Sequence, residues 1–389
     1  MQLPDFNNTE IAFRYKTTSE LKRAHFLFSV FKYNIVVKWG PAIMTFALKS
    51  RLPVKGIIKQ FGFRHFCGGE TMDECDATAK KLHAFGVGSI LDYAAEGKGN
   101  AAELEFNKNQ ILKTIDKTAG NAMYPFAVFK PTGILSFEIM EKADSGVPLT
   151  NDDLNVFYEG KARVEAICQR ATQKKVPLFI DAEDSWIQKT VDSLVEEMME
   201  KHNHTEVIVY NTLQMYRHDR LKFLEAQILK AKEKGYKLGF KLVRGAYMEK
   251  ERERAEKMGY LSPIHKDKAA TDADYDAALS LCVENADIVS ICCGSHNEDS
   301  SELLVKLMNE KGFANNDKRF WFAQLFGMSD HISFNLSQAG YNVAKYLPFG
   351  PIKTVLPYLS RRAQENTSVA GQASRELVLI KRELKRRKA

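Results

Sequence analysis

The sequence predicts an α/β chain whose main body is a distorted, TIM-like (β/α)8 barrel, preceded by a mainly helical N-terminal extension. Three observations carry this expectation. From about Gly86 onward, eight short apolar runs alternate with longer stretches of helical periodicity. Polar residues collect where those runs end, and a barrel gathers its functional loops at its strand C-termini. Neither a G-x-G-x-x-G turn nor a G-x-x-x-x-G-K-[ST] loop occurs, so the rival doubly wound sheet lacks its glycine-rich first turn.

Residues 1–80 read as the extension. Met1–Glu20 is polar and has no apolar stretch of the kind a secretory signal needs. Between Lys22 and Lys59, basic residues interleave with Phe26, Phe28, Phe31, Tyr33, Trp39 and Phe46. Two readings stand for this segment. It is a helical arm packed on the main domain with its lysines in water, or an amphipathic surface for an anionic membrane. The barrel is expected over 81–375, with strands at Ser89–Asp92, Pro125–Lys130, Val176–Asp181, Glu206–Tyr210, Leu238–Val243, Ile288–Cys292, Phe320–Gln324 and Asn342–Leu347. Helices are expected at Asp152–Lys174, Trp186–Lys201, His218–Lys234 and Asp272–Asn285. Residues 376–389 form a basic tail that reads as a solvated helix end, with membrane or nucleic-acid contact as the alternative.

Composition narrows the class. The 389 residues are 44% hydrophobic with a net charge of +7, which suits one large soluble domain with an appendage. No apolar run approaches the about 20 residues that span a bilayer. The six cysteines show no C-x-x-C pairing and no histidine partner at metal spacing. Buried thiols in a reducing, cytoplasmic setting are the simplest reading, with no metal site expected. His202, His204 and Asp192 lie around one helix end and read as solvated residues.

The strand ends carry the candidate chemistry. Lys130 leads into Pro131-Thr132-Gly133, and Asp181 into Ala182-Glu183-Asp184. Gln214 follows Asn211-Thr212-Leu213, while Lys241 and Arg244 flank Leu242-Val243 before Gly245-Ala246-Tyr247. Ser295 and His296 follow Gly294, and Gln324 closes the seventh run. One such residue alone is commonly a polar cap; such groups at most of the strand ends point to a site. Farther on, Tyr358, Arg361, Arg362 and Glu365 fall at i, i+3, i+4 and i+7 of a helical pattern. Two adjacent guanidiniums on one face can grip a small carboxylate bidentately, although a solvated basic face has the same pattern. Tyr346-Leu347-Pro348-Phe349-Gly350-Pro351 reads as a strand end and tight turn feeding that helix.

The blocks Phe129-Lys130-Pro131-Thr132-Gly133, Ile180-Asp181-Ala182-Glu183-Asp184, Lys241-Leu242-Val243-Arg244-Gly245-Ala246-Tyr247 and Tyr346-Leu347-Pro348-Phe349-Gly350 occur in this order. With Tyr358-Leu359-Ser360-Arg361-Arg362-Ala363-Gln364-Glu365-Asn366, they resemble the proline dehydrogenases, or proline oxidases, over roughly residues 85–370. The chain length resembles the monofunctional form. The resemblance implies noncovalent FAD at the strand C-termini and oxidation of L-proline to Δ1-pyrroline-5-carboxylate, the first step of proline catabolism. Hydride would pass from proline C5 to flavin N5 and the electrons to a membrane quinone, with peripheral contact on the inner face of a membrane. No nucleic-acid partner is implied.

By the same resemblance, Arg361, Arg362 and Lys130 hold the substrate carboxylate, and Tyr247, Leu325, Tyr346 and Tyr358 wall the ring. Asp181 orders the basic groups around it. Gln214, Lys241, Arg244, Gly245, Ala246, Ser295, His296, Gln324 and Glu365 fall at cofactor-contacting positions. Lys241 stands where many relatives have arginine. Tyr346 is bulky where hydroxyproline enzymes tend to be small, which implies proline. The acidic partner that some relatives offer the first arginine is not assigned; Asp92 and Glu96 lie near the expected place. A reading from another class is a Schiff-base barrel lyase or aldolase using Lys130 or Lys241. It leaves the paired arginines and the tyrosines unused.

Overall fold

The computed structural model describes residues 3–31, 56, 62–93, 99–368 and 372–388. Apart from Gly56, the expectations for residues 32–61 fall outside the described residues, as does Glu96. Eight strands close a parallel barrel in chain order: β1 Val87–Tyr93, β2 Ala127–Phe129, β3 Leu178–Ile180, β4 Val209–Gln214, β5 Leu238–Val243, β6 Val289–Gly294, β7 Phe320–Leu325 and β8 Val343–Phe349. Most expected strands lie within a few residues of these bounds. The chain divides into two compact units, residues 1–3 with 96–323, and residues 4–95 with 324–389.

In the first unit the helices Asn151–Lys174, Ser185–His202, Arg220–Lys234 and Lys268–Glu284 stand where helical periodicity places them. One expected strand is displaced: β4 runs on to Gln214, whereas the sequence suggests an end at Tyr210. Asn211 and Thr212 look like loop residues, yet both are buried, and Asn211 Nδ2 donates to Asp192 Oδ1 at 3.1 Å. A polar side chain with a buried partner does not interrupt a strand. Successive strand residues face opposite ways, so Phe126 and Val128 share a face with Lys130, and Phe179 with Asp181. The rings of Phe126 and Phe179 stack at 4.2 Å with Trp321 edge-on to Phe126 at 5.1 Å. An aromatic layer thus lies beneath the charged strand ends.

In the second unit β1 pairs with β8 from Val87↔Val343 to Tyr93↔Phe349. The strand therefore continues through Pro348, which the sequence places in a turn; Pro348 has no N–H to offer, but its carbonyl accepts from Gly68 N at 2.9 Å. The turn proper falls at Gly350, whose φ of 144° suits glycine. Helices Thr9–Phe13, Thr18–Phe31 and Gln372–Arg386 share a core of Phe13, Leu21, Phe28, Leu377, Leu379 and Ile380. The basic stretch 376–389 lies mainly on the last of these helices, with Glu383 buried and Lys381, Lys385 and Lys388 exposed. Beside them Asp330 makes salt bridges to Lys16 and Lys345 and accepts from the Tyr15 hydroxyl at 2.8 Å. Glu376, also buried, accepts from Ser329 N. Among the described residues, no helix is long and apolar enough to cross a membrane.

Candidate active site

The first unit gathers five of the expected strand ends, those of β2 to β6. Asp181, one residue beyond β3, is the hub: its Oδ2 meets Lys130 Nζ at 3.2 Å and its Oδ1 accepts from Lys241 Nζ. Burial pushes the Asp181 carboxyl up, but Lys241 and then Lys130 outweigh it and hold the group below the usual carboxylate range. Lys241 Nζ also lies 5.3 Å over the Phe179 ring. One anion therefore fixes two cations from different strands.

Arg244 follows β5 and is held on all sides. Its Nε donates to Asp272 Oδ1 at 2.7 Å, and its two terminal nitrogens to Ser295 Oγ at 2.8 Å and Ser300 Oγ at 3.0 Å. The guanidinium also stacks 4.4 Å from the Tyr275 ring centroid. Burial raises the Asp272 carboxyl, and its bonds to Lys268 and Arg244 more than reverse this. Gly245 adopts φ 142°, and a Cβ there would come within 2.5 Å of the Tyr216 ring. Only glycine fits this approach. Gln214, at the end of β4, accepts from Ala246 N at 3.1 Å and donates to the Glu183 carbonyl at 2.8 Å. Ser295 Oγ accepts from Asn297 N at 3.1 Å, and His296 beside it is half-buried.

In the second unit, Gln324 on β7 accepts from Ser333 Oγ at 2.7 Å. Half-buried Leu325 packs against an apolar cluster that includes Val355, Tyr358 and Leu359. Tyr346 is buried on β8. The helix Ile352–Ser368 carries Tyr358, half-buried Arg361 and buried Arg362. Arg362 lies 5.0 Å over the Tyr358 ring, the pairing that the spacing i, i+4 implies. Glu365 is on the same helix, but its side chain lies outside those described. Asp92, at the end of β1, is buried. The reading of His202, His204 and Asp192 as solvated residues holds for exposed His204 alone: half-buried His202 bonds Thr172 Oγ1 through Nδ1 at 3.0 Å, and buried Asp192 pairs with Arg220 at 2.6 Å.

Four residues escaped the sequence reading as participants: Thr132, Glu183, Asp272 and Ser300. Glu183 is buried and takes the Thr132 N–H at 3.2 Å and hydroxyl at 2.7 Å. It sits two residues after Asp181, in a block already singled out, so a signal was present. Asp272 and Ser300 lie on helices far along the chain from Arg244 and carry no local mark.

The profile of one family, described as Proline dehydrogenase, matches residues 75–375. Proline dehydrogenase 1, mitochondrial, from Arabidopsis thaliana is 30% identical over 95% of this chain and 84% of its own length. Hydroxyproline dehydrogenase from Xenopus laevis is 31% identical over 96% of this chain and 88% of its own. Among solved structures, proline utilization A from Bdellovibrio bacteriovorus aligns with a TM-score of 0.72 at 20% identity. That alignment covers 94% of this chain and 37% of the longer one, and it bears on the fold.

Proposed function

The chain belongs to the proline dehydrogenase family, and from this we propose that it oxidises L-proline to Δ1-pyrroline-5-carboxylate, with noncovalent FAD as cofactor and a membrane quinone as electron acceptor. The observation that carries the reading is the Lys130–Asp181–Lys241 hub, with Lys130, Asp181 and the anchored Arg244 just past strand ends and Lys241 within β5. The donor set there (ammoniums, a guanidinium, an amide and a hydroxyl) suits a dinucleotide with phosphates and ring carbonyls. In this reading Gln214, Lys241, Arg244, Gly245, Ala246, Ser295, His296, Gln324 and Glu365 hold the cofactor, which supplies the two-electron acceptor.

The protein's own residues bind and orient. Arg361 and Arg362 grip the proline carboxylate, with Lys130 as a third cation. Planar guanidiniums suit this better than further lysines, because each offers two parallel N–H groups. Tyr247, Leu325, Tyr346 and Tyr358 enclose the ring and exclude water. Holding a small rigid substrate at both ends converts binding energy into a fixed reacting geometry. A cationic pocket also lowers the pKa of the substrate ammonium and favours the free amine that oxidation requires. Tyr346 sets the preference for proline over its 4-hydroxy derivative. Asp181 bonds both Lys130 and Lys241, and a Schiff-base reading leaves the paired arginines and the tyrosines unused.

The test is the visible spectrum of purified protein before and after anaerobic L-proline. Flavin bands should bleach with L-proline and persist with trans-4-hydroxyproline. A protein that takes up no FAD would overturn the reading; equal bleaching by both amino acids would overturn the role of Tyr346.

A further inference from the structure

We infer that Glu183 is a positioning residue for the substrate pocket, aligning Tyr247 with the turn that follows Lys130; this rests on the proline-oxidising reading above. The carboxylate is 5% exposed, and burying a charge at this depth is costly unless it organises its surroundings. Its two oxygens face different loops. Oε1 accepts both the backbone N–H of Thr132, at 3.2 Å, and its hydroxyl, at 2.7 Å. Oε2 accepts from the Tyr247 hydroxyl at 3.4 Å.

The main chain of the same residue extends the tie. Glu183 N donates to Gln188 Oε1 at 2.8 Å. The Glu183 carbonyl accepts from Gln214 Nε2 at 2.8 Å, and Gln214 Oε1 accepts from Ala246 N at 3.1 Å. Glu183 thus joins the loops after β2 and β5 to the end of β4, from its own place after β3. Thr132 lies two residues from Lys130, and Tyr247 directly follows Gly245-Ala246. The Tyr247 bond is long, as bonds that tighten on substrate binding often are. A shared anchor of this kind sets the width between a cationic contact and an aromatic wall, so its loss acts on substrate fit.

The test uses the full chain loaded with FAD. The variants are Glu183→Ala, Glu183→Gln, Tyr247→Phe and the Glu183→Ala/Tyr247→Phe double. Readouts are KM and kcat for L-proline with a soluble dye, and the Kd of tetrahydrofuran-2-carboxylate, which lacks the oxidisable amine. Glu183→Ala should raise KM and that Kd by about tenfold with a smaller change in kcat. Glu183→Gln should recover most of the loss, because an amide can accept from Thr132 and donate to Tyr247. The double variant should be no worse than Glu183→Ala, since both changes remove one tie. Unchanged KM in Glu183→Ala, or fully additive effects, would overturn the inference. If Glu183→Ala does not fold, Thr132→Val takes its place in the cycle with Tyr247→Phe, and additivity there overturns it equally. Wild-type protein inert to L-proline would instead remove the underlying reading.

Discussion

Asp181 shows how one residue carries a site. Its value as an anion comes from two ammoniums that outweigh the penalty of burial. A carboxyl whose folded pKa is depressed stabilises the fold fully above its unfolded value of about 3.9, and loses that contribution as pH falls through the lower folded value. Asp181→Asn should therefore unfold with a flatter dependence on acid than the native chain, below roughly pH 4. Melting curves across that range provide the check, and parallel pH profiles for the two proteins would refute the argument. At this scale Lys130 and Asp181 were legible because each stands at the end of an apolar run, and Lys241 because it is a charge inside one. Glu183 was only half legible. Its neighbourhood was marked, but its bonds to Thr132 and Tyr247 join residues 51 and 64 positions away.

At the scale of elements, the strands and helices follow local periodicity, and the departures have identifiable causes. β4 was truncated in the reading because Asn211 and Thr212 mimic a loop until Asp192 is seen beside Asn211. Pro348 mimicked a turn, yet it lies inside β8. The terminal helices depend on a feature without local signature, the enclosed Asp330 with Lys16 and Lys345. Lys345 is wholly enclosed, and burial pushes its pKa down although Asp330 opposes this. Removing one partner of such a group strands the other charge. Asp330→Asn should cost about 3–5 kcal/mol in urea unfolding, and adding Lys345→Met should restore much of it. An unchanged midpoint in the single variant would show that the network contributes little.

For the molecule as a whole, the proposed quinone acceptor calls for a surface that can meet a membrane. The helix Gln372–Arg386 offers exposed Lys381 and Lys385, with Lys388 just beyond, while Leu379, Ile380 and Glu383 are enclosed. Deleting Val378–Ala389 would therefore remove core as well as charge. Replacing Lys381, Lys385 and Lys388 with glutamine is the cleaner probe. Binding to vesicles containing anionic lipid should weaken by about a hundredfold, at about 1 kcal/mol for each of the three lysines near the surface, while dye-linked turnover stays unchanged. Sedimentation with vesicles measures this, and undiminished binding would take the helix out of the account. The sequence by itself determined the alternation of strands and helices and the charges at the strand ends, because side-chain periods of 2 and 3.6 are local properties. Only the tertiary structure decided which polar groups meet: Asp181 with Lys130 and Lys241, Glu183 with Thr132 and Tyr247, Asp330 with Lys16 and Lys345. Those meetings depend on the path of the closed chain, and a local window of sequence does not contain that path.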